Sequence, residues 1–84
     1  RNPRDDKAIV ALANIKVLYG YYNDAISDYS KAIAINQDNA NAWFNRGIAK
    51  VLQNNNIGGC EDLRSSAAMG IEQANDFIRD FCIR

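Results

Sequence analysis

Two stretches of this chain repeat one another 34 residues apart. Ile9 returns as Trp43, Ala13 as Gly47, Tyr29 as Leu63 and Asp28 as Asp62. Lys16-Val17-Leu18 returns as Lys50-Val51-Leu52, and Pro3, Gln37 and Ile71 share one slot. A fixed period of this length is the mark of stacked units, each too small to bury its own apolar face. The recurrence restricts the chain to a repeat architecture, and the pattern within one period says which kind. Ala25, Ile26, Tyr29, Ala32 and Ile33 fall at i, i+1, i+4, i+7 and i+8, one face of a 3.6-residue helix. Asn36-Gln37-Asp38-Asn39 breaks that pattern with residues suited to turns and caps. Ala40 then opens a second helix, with Ala42, Trp43, Gly47 and Ala49 on its face. Small residues on both helices favour close antiparallel packing.

The same logic extends along the chain and predicts helices over about residues 6–19, 22–35, 40–53, 58–69 and 71–83. Asp5 or Asp6 is placed to cap the first, where acids suit the positive end of the helix dipole. Ile9, Leu12, Ala13 and Lys16 are expected on its packing face, the lysine snorkelling at the edge. Gly20 ends it as a C-cap, and Gly70 stops the fourth helix. Asn54-Asn55-Asn56 reads as a turn, because Asn tolerates left-handed backbone. Gly58-Gly59 costs helix propensity at the start of the fourth helix. In the fifth helix Ile71, Ala74, Phe77, Ile78, Phe81 and Cys82 form an apolar face. Glu72, Gln73, Asn75, Asp76, Arg79 and Asp80 form a polar back, as a terminal covering helix requires.

The chain resembles the tetratricopeptide repeats, whose pattern is W-x2-L-G-x2-Y, then A-x3-F, then P. The second unit supplies Trp43 and Gly47, then Gly59 and Leu63; Arg46 and Lys50 replace the usual Leu and Tyr. The first supplies Leu12, Ala13, Ala25 and Tyr29, with Ile9 for the Trp. The resemblance implies an all-α, right-handed α-solenoid: two helix-turn-helix repeats over about 6–39 and 40–73, and a C-terminal capping helix over about 71–83. The run Gly59-Cys60-Glu61-Asp62-Leu63-Arg64 and the short last helix look like the C-terminal closure of many bacterial members, which implies a natural end near Arg84. Asn2-Pro3 matches the slot of Asn36-Gln37, so residues 1–5 are expected to be the tail of a preceding repeat. The edge left at that end is a candidate surface for self-association.

The resemblance also implies a function: non-catalytic binding of a protein or peptide in the concave groove lined by the first helix of each repeat. By register the groove residues are Lys7, Val10, Ala11, Asn14, Val17 and Leu18 from helix one. Helix three adds Asn41, Phe44, Asn45, Ile48, Val51 and Leu52, and helix five adds Asn75, Ile78 and Arg79. This is an apolar trough with amide spots, suited to an extended or helical peptide. Some members clamp a C-terminal carboxylate with Lys/Asn/Asn/Lys/Arg. Asn14, Asn45 and Arg79 match, but Val10 and Asn75 stand where the two lysines belong. The alternative function is structural, a segment that self-associates or spaces other domains.

Composition narrows the remaining classes. At 84 residues the chain holds one domain at most. Ten basic and ten acidic residues cancel, which speaks against a nucleic-acid surface driven by charge. No apolar run approaches the roughly 20 residues that span a bilayer, so no membrane insertion is expected. There is no histidine, so no Ser-His or Cys-His pair forms within the chain. No glycine-rich phosphate loop follows a strand, and no cofactor or metal is expected. Asp5-Asp6 and Glu61-Asp62 read as capping or solvated-face pairs. Cys60 and Cys82 sit ten residues before Gly70 and eleven after Ile71. At about 1.5 Å rise per residue, antiparallel helices bring them to similar height. They are either two small buried thiols, as a reducing cytosol would keep them, or a disulfide stapling the last helix.

Overall fold

The computed structural model describes residues 5–82. The expectations for Asn2-Pro3 and for the end of the last helix at residue 83 lie outside the described residues. Five helices follow in order: α1 Asp6–Leu18, α2 Tyr22–Ile35, α3 Ala40–Leu52, α4 Asn56–Ala68 and α5 Gln73–Phe81. Each packs on its chain neighbours, and α1 also touches α3, giving an elongated slab of 43 × 26 × 16 Å. This is an all-α stack of helix-turn-helix pairs.

Local chemistry sets the boundaries. Asp5 caps α1, its side chain accepting from the Ala8 N–H at 3.1 Å, and Asn39 does the same for α3 through Ala42. Gly20 and Asn54 occupy matching slots and share left-handed backbone, φ 83° and 68°. There the amides of Tyr21 and Asn55 turn back to the carbonyls of Lys16 and Lys50, closing α1 and α3 with the same Schellman turn. The Asn triplet is therefore not one turn. Asn54 takes the left-handed position, Asn55 caps α4 through the Gly58 N–H at 3.0 Å, and Asn56 is already helical. For that reason α4 begins two residues before the predicted start. α5 starts two residues later than expected, because the Ile71 N–H is held by the Ser66 carbonyl that closes α4.

The core is one run of small and medium side chains around the large Tyr29: Val10, Ala13, Ala25, Ala32, Ile33, Ala42 and Ala49, flanked by Ile9, Val17, Ile26 and Trp43. Val10 is only 7% exposed, packing into this core while flooring a hollow beside α1. One assignment on α1 is corrected here. Leu12, expected on the packing face, is 51% exposed. Apolar letters surround α1, so its buried stripe runs through Val10, Ala13 and Val17 instead.

The α3–α4 crossing is made of backbone. A Cβ at Gly59 would lie 2.6 Å from the Val51 Cγ2 and 2.8 Å from the Gly47 carbonyl oxygen. A Cβ at Gly47 would lie 2.9 Å from the Gly59 carbonyl oxygen. Glycine at both positions is what lets the two helices touch so closely. The matching residues of the first pair, Ala13 and Ala25, are fully buried and keep their methyls.

Candidate functional site

The buried polar residues hold the helix pairs in register. Lys16 Nζ donates to Asp28 Oδ2 at 2.7 Å, and its repeat-mate Lys50 pairs with Asp62 at 3.1 Å. Asp62 also receives Arg46 through Nε at 2.7 Å and Nη2 at 2.8 Å, a two-point guanidinium–carboxylate pair. The same guanidinium lies 5.0 Å from the Trp43 ring centre and donates to Ser30 Oγ at 3.1 Å, so it joins α2, α3 and α4. Asp62 is 3% exposed. Its expected role as a solvated-face carboxylate is thus corrected, because two cations replace its water. The equal Lys-to-Asp spacing in the two units was the sequence signal for these pairs. Both carboxylates are thus engaged by cations of the neighbouring helix.

Two further links tie the start of the chain to its middle. Asp6 Oδ2 accepts from Asn39 at 2.8 Å and from Asn36 at 3.2 Å, and these bonds hold its carboxyl below the usual range. Tyr29, fully buried, donates its hydroxyl to Asn14 Oδ1. Burial, aided by neighbouring Asp28, pushes the Tyr29 phenol up to about 12. Hydrogen bonding to Asp28 raises the Lys16 ammonium.

The sequence-predicted groove residues distribute as follows. A hollow of about 220 Å³ is lined by Lys7, Val10, Ala11, Asn14, Asn39 and Asn41, with Val10 as its buried base. Lys7, Ala11, Asn14 and Asn41 are exposed there. Phe44, Asn45, Ile48 and Val51 are half-buried along α3, and Val51 is drawn against Gly59 of α4. Phe44 meets Phe77 of α5 edge-to-face at 5.7 Å. Leu18 and Leu52 are exposed at the far ends of α1 and α3. On α5 Asn75 and Arg79 are exposed and Ile78 is half-buried; Arg79 pairs with Asp76 at 3.2 Å. Asn39 was missed as a lining residue because it had been read only as turn and cap. Leu12, Ile15 and Tyr19 form an exposed stripe on the outer face of α1.

Cys60 and Cys82 are joined by a disulfide, with Cα atoms 5.7 Å apart. Of the two states left open by the sequence, the structure carries the bonded one. Among the described residues no cluster of His, Cys, Asp or Glu is placed to hold a metal ion. Among the same residues no helix is long and apolar enough to cross a membrane.

Helix pairs that recur in step, cross at small residues and repeat an inter-helix ion pair define a helical-repeat protein. A family model described as TPR repeat matches residues 13–54, half of the chain, and the protein belongs to that family. The repeats of this family generally mediate protein–protein interaction rather than catalysis. No curated protein matches the chain.

Proposed function

We propose that this domain binds a peptide segment of another protein along the side shared by α1, α3 and α5, and that it performs no catalysis itself. The observation that carries the reading is the hollow of about 220 Å³ at α1, with Lys7, Asn14, Asn39 and Asn41 around an apolar base. The exposed Asn41 amide can both donate and accept, and Asn14 keeps its amide N–H groups while its oxygen holds Tyr29, so they suit the main chain of an extended peptide, while Ala11 and Ile48 above the Val10 floor suit its apolar side chains. The unit spacing adds support. Lys7, Asn41 and Asn75 are register mates, as are Ala11, Asn45 and Arg79, so successive units present side chains at equivalent positions along one side.

The test is selection of binding peptides from a displayed random library, followed by NMR mapping. Shifts at Ala11, Asn14, Asn41, Asn45 and Ile48 are expected. Shifts confined to α2 and α4 would overturn the assignment. Ala11→Glu and Asn45→Glu, which add bulk and charge without entering the core, should each weaken the selected peptide at least tenfold. Phe44 is the poorer probe, since its ring supports Phe77.

A second reading, self-association through a second copy, is favoured by the exposed Leu12, Ile15 and Leu18 on α1 and Tyr19 at its C-cap. Light scattering separates the two: a groove binder stays monomeric as concentration rises, and a self-associating segment does not.

A further inference from the structure

The interfaces among α1, α2, α3 and α4 each carry polar ties. Lys16–Asp28 joins α1 to α2, Gln53–Asn23 and Arg46–Ser30 join α3 to α2, and Arg46 and Lys50 join α3 to Asp62 of α4. α5 differs. Its ion pairs, Arg79 with Asp76 and with Asp80, lie within α5 itself. Among the described residues no ion pair runs from α5 to another helix. What holds it is the buried Ala74, the Phe77–Phe44 ring contact, the half-buried Ile78 and the Cys60–Cys82 bond. At nine residues α5 is too short to persist as an isolated helix. The bond therefore does for α5 what salt bridges do elsewhere in the chain.

That bond is also reachable. A hollow of about 290 Å³ opens onto it, with Ile57, Glu61, Arg64 and Phe81 beside the two cysteines. Cys60 is only 5% exposed, whereas Cys82 is half-buried, so an incoming sulfur meets Cys82 first. Glu61 and Arg64 line the same hollow and offset each other in charge, so access to the sulfur rather than charge decides the attack.

We propose that Cys82 is a thiol-exchange site and that the Cys60–Cys82 bond is a removable latch on α5, opened by a dithiol reductant. One thiolate of the dithiol attacks Cys82 Sγ, forming a mixed disulfide and expelling Cys60 as a thiolate, which takes up a proton. The second thiolate of the reductant then attacks its own sulfur in that mixed disulfide and expels the Cys82 thiolate, which is protonated in turn. The reductant leaves as a disulfide, and the protein has gained two electrons and two protons. Without the bond α5 keeps only its few apolar contacts and opens, uncovering the Phe44 ring. This inference stands apart from the peptide-binding reading, since it needs no ligand.

The test uses the full chain under native conditions. Glutathione, a monothiol, should trap the mixed disulfide on Cys82 and not on Cys60, as located by peptide mass spectrometry. With dithiothreitol, amide hydrogen exchange over residues 73–81 should accelerate at least tenfold while α1, α2 and α3 keep their protection. The double variant Cys60→Ser, Cys82→Ser should exchange like the reduced chain. Four results overturn the proposal: a bond that resists thiols until denaturant is added, an adduct on Cys60, unchanged α5 exchange after full reduction, or equal loss of protection in all five helices.

Discussion

The first helix pair and the second reach the same topology with different chemistry. α1 and α2 cross over the methyls of Ala13 and Ala25, and α3 and α4 cross backbone to backbone at Gly47 and Gly59. The first pair has one lysine on Asp28, and the second has a lysine and an arginine on Asp62. The first buries Tyr29 and must satisfy its hydroxyl with Asn14, while the second buries Leu63, which asks for nothing. The comparison teaches that the period preserves geometry rather than side chains. Where the second pair gives up side-chain volume at its crossing, it adds charge beside it.

The largest contrast is expected at the two aspartates. Asp62→Ala leaves two cations facing a buried void and should cost about 3 kcal/mol or more in urea denaturation. Asp28→Ala strands one lysine that can swing to water, and about 1 kcal/mol is expected. Equal losses would break the comparison. Next come the crossings. Gly59→Ala drives a methyl into Val51 and the Gly47 carbonyl, so a loss of about 2 kcal/mol is expected. Ala25→Gly should cost about 1 kcal/mol by the same measurement, through helix propensity and a lost methyl.

Alkaline pH distinguishes Tyr29 from Leu63. The folded-state phenol is raised to about 12, above the unfolded value of roughly 10. The stability it contributes is complete below about pH 10 and is lost as pH rises toward 12, roughly 2 kcal/mol in all. Tyr29→Phe should flatten the stability curve in that window, at the expense of a hydrogen bond to Asn14 at neutral pH. Smallest is the turn pair. Gly20→Ala forces a Cβ into left-handed backbone and should lower stability by about 1 kcal/mol, whereas Asn54→Gly should change it by less than about half that, read as midpoint shifts in thermal melts.

Much of the helical order was legible, because the apolar spacing of α2 and α3 admits one face and the turns between them are rich in Asn and Gly. The start of α4 was not, since three consecutive Asn can serve as turn, cap or first helical residue, and only tertiary context divides the roles. The misplacing of Leu12 on the packing face has a different cause. α1 carries apolar residues all round, so periodicity cannot choose its buried stripe. Register alone brought Lys7, Ala11, Asn14 and Asn41 to the lining of one hollow. It could not foresee that Asn14 has already spent its oxygen on Tyr29, or that Asn39 joins the rim. The sulfur atoms were predictable in height but not in oxidation state.

Asp6 reaches across to Asn36 and Asn39, and this has a kinetic consequence. Nearly every other tie joins helices adjacent in sequence, so most of the chain closes through short loops and should collapse quickly from any pair. The Asp6 bonds need α1, the end of α2 and the start of α3 all in place. They are expected to form late, as a clasp that completes the molecule, so truncating Asp6 should hasten unfolding while leaving the refolding rate almost untouched.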